Sequence, residues 1–153
     1  MATTTQSTAG LRLFAAPRLC FKSAAKAIEF YQNAFGAKES WRFENEGGVG
    51  HAEVMIGDSV IMLCEEWLEG GRRSAETLGQ SPVSMTVQVP DVDAFIPHAV
   101  AAGAKLAVPI ADQFYGHRDA TLLDPFGYSW NIYTVKEEMS IEEMHRRFKA
   151  MMG

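Results

Sequence analysis

The chain has 153 residues, of which 47% are hydrophobic and 22% charged, and its formal net charge is −5. A chain of this length buries enough surface to fold as one globular domain without a disulfide or a structural metal. The negative charge and the scattered basic residues argue against a nucleic-acid partner, because a phosphate backbone binds to a positive face. No apolar run is long enough to cross a bilayer, so the sequence predicts no membrane partner.

The start of the chain and its two cysteines indicate the compartment. Residues 1–10 are rich in Thr, Ser and Ala and lack the apolar core of a secretory signal, so we expect a disordered tail. Cys20 and Cys64 are too few for a disulfide framework and too far apart for a CxxC motif. We therefore expect reduced thiols in a cytoplasmic protein.

A short repeat divides the rest of the chain into two halves. The segment 34–38, AFGAK, returns 67 residues later as 101–105, AAGAK, and each copy ends a stretch with helical periodicity. Ser23 and Asp91 are the predicted N-caps of these two helices. Pro97 lies inside the second helix, where it should kink the helix or confine regular geometry to the residues that follow it.

Around each helix the hydrophobic period changes to that of β-strands, so each half is predicted as a β-α-β-β-β module. The predicted strands are 11–21, 38–44, 49–56 and 59–65 in the first half, and 83–89, 105–111, 118–123 and 128–135 in the second. The predicted organisation is module one at 11–66, a linker at 67–81, module two at 82–136 and an amphipathic helix at 137–153. That helix begins with the capping box formed by Ser140 and Glu143.

Three motifs, in this order, resemble the vicinal oxygen chelate superfamily, which contains glyoxalase I, bleomycin-resistance proteins and extradiol dioxygenases. The motifs are 27–37 (AIEFYQNAFGA), 50–58 (GHAEVMIGD) and 124–130 (DPFGYSW). A further motif at 112–118, DQFYGHR, resembles the PhnB-like branch of this superfamily.

The resemblance implies an α+β fold in which tandem βαβββ modules form one domain at 11–136 with a cupped eight-stranded mixed sheet. The C-terminal helix is extra to that fold. The resemblance also implies a homodimer whose cup binds a small molecule. One fold hosts several chemistries, so the sequence leaves open whether the protein is an enzyme.

Enzymes of this superfamily hold a divalent metal with four ligands, usually His, Glu or Gln, from the first and last strands of both modules. The resemblance places these positions at Ala16, Met62, Ser84 and Asn131. None of these side chains is a good ligand for Zn²⁺, Ni²⁺ or Fe²⁺, which prefer imidazole, carboxylate or thiolate. We therefore expect no metal at the usual positions, and the chain has no nucleotide-cofactor motif.

Strand alternation predicts which side chains line the cup. In the second strand after the first helix, Ala52 and Val54 should face the helix, which leaves His51 and Glu53 on the cup face. This pair could be a general base with its orienting carboxylate, two ligands of a relocated metal site, a contact to a ligand without chemistry, or a polar lining that binds water.

The 67-residue offset places Arg118 and Ala120 at the positions of module two that match this pair. Arg118 could bind a carboxylate or phosphate with two hydrogen bonds, or could form a structural salt bridge to Asp112, Asp119 or Glu53. The predicted substrate-binding residues are Trp41, Met62, Tyr115, Arg118, Asn131 and Tyr133.

The function expected from these residues is binding of a small organic molecule in the cup, without the usual metal. We expect that molecule to be apolar in the main, with one anionic or vicinal-oxygen group. The alternative is a divalent-metal-dependent glyoxalase- or dioxygenase-like enzyme with a relocated site near His51 and Glu53. A third interpretation is a scaffold whose cup is a filled core.

Overall fold

The computed structural model describes residues 13–153, so the tail predicted at 1–10 lies outside the described residues. The strands are β1 (Arg18–Phe21), β2 (Lys38–Asn45), β3 (Gly48–Ile56), β4 (Ser59–Glu65), β5 (Ser84–Gln88), β6 (Lys105–Asp112), β7 (His117–Leu123) and β8 (Ser129–Val135). The helices are α1 (Ala24–Phe35), α2 (Ala75–Leu78), α3 (Val92–Ala101) and α4 (Ile141–Met152). The order of the predicted strands and helices is confirmed, but the strand predicted at 11–21 is limited to Arg18–Phe21 among the described residues, and the helix predicted at 137–153 begins at Ile141. The short helix α2 lies within the segment predicted as a linker.

Each module forms one four-stranded mixed sheet. The strand order is β1-β4-β3-β2 in sheet one and β5-β8-β7-β6 in sheet two. In both sheets the strand before the helix runs parallel to the last strand, and the other pairs are antiparallel. The predicted α+β fold of tandem βαβββ modules with a C-terminal helix is therefore confirmed, with its eight strands divided between two sheets.

Local sequence explains where the module helices begin and end. The Ser23 hydroxyl accepts a hydrogen bond from the first turn of α1, and the Asp91 carboxylate accepts two from the first turn of α3. α1 ends at Gly36, whose φ of 66° lies in the left-handed region that favours glycine. α3 continues on both sides of Pro97, which lies on the exposed side of the helix, so the loss of one backbone donor does not end it.

The helix-bearing faces of the two sheets meet at the centre of the molecule. α1 contacts α3, and the ring of Trp130 in β8 lies 4.9 Å from that of Phe35 and 5.3 Å from that of Tyr31, both in α1. Trp130 and Tyr31 are fully buried in this shared core. The packing leaves the opposite face of each sheet covered by neither α1 nor α3.

A buried carboxylate joins the two modules. Asp124, before β8, accepts hydrogen bonds from the Tyr31 hydroxyl (2.6 Å), the Trp130 indole N–H (2.9 Å) and the backbone N–H groups of Phe126 and Tyr128 (both 2.9 Å). Burial raises the pKa of the Asp124 carboxyl, and these donors oppose that shift. The carboxylate therefore ties α1 of module one to the β7–β8 turn of module two.

The helix α4 is held to module two by a few side chains. Arg147 donates to the Phe114 carbonyl oxygen at 3.3 Å, and the ring of Phe148 lies 5.7 Å from that of Phe114. Arg147 also pairs with Glu137, just before α4, and with Glu143 inside it, each at 2.8 Å. No residue of α4 is buried, and most of its large apolar side chains are exposed. Among the described residues, no helix is long and apolar enough to cross a membrane.

We expect the ion pairs of α4 to weaken in acid. Arg146 and Arg147 hold the pKa of Glu143 at about 2, below its ordinary value of 4.5. A carboxyl with a lowered folded-state pKa stabilises the fold above the unfolded value, and this contribution is lost as the pH falls through the folded value. The melting temperatures of the wild type and Glu143→Gln should therefore converge between about pH 4.5 and 2. A difference that stays constant across this range would contradict the assignment.

Candidate functional site

The face of sheet one that lies opposite α1 carries the predicted His51 and Glu53, and we call it open face one. Ala52 and Val54 are fully buried on the helix side, so the strand alternation places His51, Glu53 and Met55 on the opposite side. These three side chains are partly exposed. The prediction from strand alternation is therefore confirmed for β3.

Open face one brings four predicted site residues together. The His51 Nε2 atom lies 3.3 Å from Glu53 Oε1, and the rings of Trp41 and His51 lie 5.0 Å apart. Met62 is the register partner of Glu53 on one side and of Arg18 on the other. Trp41 is 49% exposed at the rim of this group, so a large apolar surface is open to a ligand.

The pair of His51 and Glu53 has the chemistry of a hydrogen-bonding anchor. If Nε2 of a neutral His51 donates to the carboxylate, the Nδ1 atom is left as an acceptor or proton-binding atom. Both side chains are about a quarter exposed, at 22% and 26%, so neither is shut away from a bound molecule. The arrangement can orient a polar group of a ligand or accept a proton from it.

The corresponding face of sheet two, opposite α3, holds three further predicted residues, Tyr115, Asn131 and Tyr133, and we call it open face two. Trp130 and Ile132 are fully buried, which places Asn131 and Tyr133 on this side of β8, as the alternation predicts. The ring of Tyr133 stacks on that of His117 at 4.4 Å, and its hydroxyl donates to Gln88 (3.1 Å).

A buried carboxylate organises the polar side chains of open face two. Asp119 accepts hydrogen bonds from the Gln113 side-chain amide and from the Tyr115 hydroxyl, both at 2.8 Å. Burial first, and then the Asp119 carboxylate, raise the pKa of Tyr115 to about 12. Tyr115 therefore keeps its proton at neutral pH. Its hydroxyl donates a hydrogen bond to Asp119 rather than to a ligand.

The prediction that Arg118 lines the cup is wrong. Its guanidinium binds both carboxylate oxygens of Asp93 in α3, at 2.8 and 2.9 Å, and also contacts Asp112 at 3.2 Å. It therefore lies on the helix side of sheet two, with the fully buried Ala120 two residues further along β7. The structural salt bridge to Asp112 was one of the two roles that the sequence left open for Arg118.

The cause of this error is a one-residue change in the offset between the modules. The N-caps Ser23 and Asp91 are 68 residues apart, whereas the glycine-containing repeat is offset by 67. A shift of one residue moves every side chain of a strand to the other face. With the offset of 68, the counterparts of His51 and Glu53 are Asp119 and Thr121, and Thr121 pairs with Asn131 as Glu53 pairs with Met62.

We expect Arg118→Met to have a small effect on stability and none on ligand binding. Asp93 and Asp112 are 48% and 75% exposed, so solvent weakens both ion pairs. The midpoint of urea denaturation should therefore fall only slightly. If this variant binds a ligand more weakly than the wild type, Arg118 does contribute to the ligand site.

The four usual metal positions carry no set of strong ligands. Structure and sequence agree that Met62, Ser84 and Asn131 lie on the first or last strand of a module, and Ala16 precedes β1. Within residues 13–153, no group of three His, Cys, Asp or Glu side chains is placed to hold a metal ion. His51 and Glu53 supply two donors, fewer than the three protein ligands of a catalytic zinc site, so the described residues of one chain do not fit such an ion.

The comparisons with known proteins agree with this fold. A family model described as the Glyoxalase/Bleomycin resistance protein/Dioxygenase superfamily matches residues 13–132. The uncharacterized protein Mb0911c of Mycobacterium bovis is 35% identical over 132 residues, which cover 84% of this chain and 87% of that protein.

Solved structures show the same architecture. The gene product At5g48480 of Arabidopsis thaliana superposes with a TM-score of 0.66 at 25% identity, covering 80% of this chain and 98% of the other. TioX from Micromonospora sp. ML1 superposes with a TM-score of 0.62 at 22% identity, covering 78% of this chain and 96% of the other. With the family model matched over most of its length, the chain belongs to the glyoxalase/bleomycin resistance protein/dioxygenase superfamily.

Proposed function

We propose that this protein is a homodimer that binds a small organic molecule between open face one of one copy and open face two of the other, without the usual metal of the family. The cluster of Trp41, His51 and Glu53 carries the proposal. It combines an exposed aromatic surface with a hydrogen-bonding pair, which is the usual composition of a ligand pocket.

The packing of the modules supports the participation of a second copy. Because α1 and α3 lie between the helix-bearing faces, the two open faces of one chain are not apposed. A cup lined by both faces therefore needs a partner chain, and a twofold dimer forms two such cups. The exposed apolar residues of α4 add surface that a partner could cover; they are Ile141, Phe148, Met151 and Met152.

The side chains of open face one indicate the chemistry of the ligand. The Trp41 ring offers a contact to a flat apolar body, and Glu53 can accept a hydrogen bond from it. Arg118 was the expected contact for an anionic group, but its pairing with Asp93 leaves it on the helix side. We therefore propose a largely apolar ligand that carries a hydrogen-bond donor.

We also propose that the chain belongs to the PhnB-like branch of the superfamily and lies in the cytoplasm. The motif at 112–118 supports placing the chain in the PhnB-like branch. The two cysteines without a disulfide support a cytoplasmic location.

Catalysis by His51 as a general base is the second candidate function. The contact of His51 with Glu53 favours it, because a carboxylate orients the ring of a histidine base.

A thermal-shift screen tests the proposal. A panel of aromatic and antibiotic-like compounds should contain members that raise the melting temperature, because a molecule that binds only the native state stabilises it. Leu68→Ala serves as the control, because Leu68 is 51% exposed and lies outside both open faces. The shift should persist in this variant. If no compound shifts the melting temperature of the wild type, the binding proposal fails.

A further inference from the structure

We infer that Cys20 and Cys64 form a reversible disulfide site on open face one. The inference does not depend on the proposed function, because it rests on the positions of the two thiols alone. Their Sγ atoms lie 3.5 Å apart in the reduced protein.

The strand register places the two cysteines side by side. Cys20 in β1 is the direct partner of Cys64 in the parallel strand β4. Adjacent strands lie about 4.8 Å apart, which is within the Cα separation of about 4.4–6.8 Å that a disulfide spans. The strand spacing therefore permits a disulfide, and rotation of the two side chains would close the observed gap of 3.5 Å between the sulfur atoms.

The surroundings give the two thiols different roles. Cys20 is partly exposed, whereas Cys64 is 1% exposed and its thiol is directed at the Leu19 carbonyl oxygen and at Cys20. The Tyr128 hydroxyl donates to the Cys20 carbonyl oxygen at 2.8 Å and accepts from its backbone N–H at 3.1 Å. These two hydrogen bonds hold the backbone of Cys20 in place, and its partly exposed thiol is the one that an oxidant reaches first. Cys64 is the resolving thiol, which then attacks the oxidised Cys20.

The reaction with hydrogen peroxide balances in two steps. The Cys20 sulfur attacks one peroxide oxygen, the O–O bond breaks, and one water leaves as Cys20 becomes a sulfenic acid. The Cys64 sulfur then attacks the Cys20 sulfur, the S–O bond breaks, and the second water leaves with the Cys64 proton. Two thiols and one peroxide thus give one disulfide and two waters.

The electrostatic environment makes the first step slow at neutral pH. Burial and the neighbouring Cys64 thiol raise the pKa of Cys20 to about 11, while Arg72 and Arg18 act in the opposite direction. Only a small fraction of Cys20 is then the reactive thiolate. The thiols are accordingly the resting state, and the partly exposed Cys20 leaves the disulfide open to reduction by glutathione.

Mass spectrometry of the full chain tests the inference. The reduced wild type is treated with hydrogen peroxide at about pH 8.5, where more of the thiolate is present, and then with millimolar glutathione. We expect the monomer to lose two hydrogen atoms and both titratable thiols, and glutathione to restore them. In Cys64→Ser, Cys20 should instead stop at a sulfenic acid that dimedone captures, and Cys20→Ser should remain unmodified.

The other outcomes overturn the inference. A wild-type chain that gains oxygen at Cys20 while Cys64 stays a free thiol lacks the resolving step. Disulfide-linked dimers in place of the monomer would mean that Cys20 reacts between chains, and an unchanged mass would mean that the pair is not oxidised at all. The Cys20→Ser, Cys64→Ser double variant gives the baseline for oxidation at methionine.

Discussion

Asp124→Ala should lower the free energy of unfolding by about 3–5 kcal/mol, because it removes the acceptor of four buried or partly buried donors at once. Tyr31 and Trp130 are fully buried, so the loss of the carboxylate leaves the Tyr31 hydroxyl and the Trp130 indole N–H without their acceptor in the core. Tyr31 belongs to module one and Trp130 to module two, so the loss also weakens the contact between the modules.

Urea denaturation measures this effect, with Asp58→Ala as the matched control. Asp58 occupies the β3–β4 turn of module one, as Asp124 occupies the β7–β8 turn of module two, but it is exposed. Its replacement should change stability by less than about 0.5 kcal/mol. Equal effects of the two variants would show that the hydrogen bonds of Asp124 add nothing beyond those of an ordinary turn residue.

Trp41→Ala should reduce the affinity for the strongest compound of the thermal-shift screen by about 10- to 100-fold, equal to about 1.4–2.8 kcal/mol. The exposed indole beside His51 is a large apolar surface that open face one offers to a ligand. Because Trp41 lies in an exposed position, its loss should leave the fold intact.

Trp67→Ala is the control for this measurement, carried out by isothermal titration calorimetry. Trp67 is 53% exposed, close to the 49% of Trp41, but it contacts Arg72 in the segment between the modules. We expect this variant to bind as the wild type does. Equal losses in both variants would assign the effect to general destabilisation, and no loss in Trp41→Ala would remove open face one from the site.

The fold could be predicted because its signals are local. Ser23, Asp91 and Gly36 mark helix ends by side-chain or backbone chemistry within a few residues. The burial of Ala52 and Val54 follows from the two-residue period of a strand that has a helix on one side. Both kinds of signal depend on neighbours in the sequence, so one sequence is sufficient to find them.

The placement of module two's side chains depended on an exact offset, and there the sequence was misleading. The match around the glycines shifted Arg118 onto the wrong face, although the N-caps already carried the correct offset of 68. The network of Gln113, Tyr115 and Asp119 was missed for the same reason. The 68-residue offset of the N-caps would have identified Asp119 as the residue of module two that is equivalent to His51.

Contacts between segments that are distant in the chain could not be predicted from the sequence. The hydrogen bond from Tyr31 to Asp124 joins residues 93 positions apart, and the thiols of Cys20 and Cys64 meet across 44. No periodicity links such positions, because each pair is brought together by packing of complete modules or strands. The two cysteines are too far apart in sequence for a CxxC motif, but the pairing of β1 with β4 brings their thiols together.

Subunit complementation tests most directly whether two copies share each cup. One variant carries Trp41→Ala on open face one, and the other carries Tyr133→Ala on open face two, and each homodimer should bind the screened compound poorly. In a mixed dimer, one cup combines both changes and the other combines none.

Equal amounts of the two variants, unfolded and refolded together, therefore give the decisive titration. If each cup is built from two chains, the mixture should recover about a quarter of the wild-type binding sites at wild-type affinity. If each cup is built within one chain, the mixture should bind no better than the separate variants, and the shared cup would be contradicted.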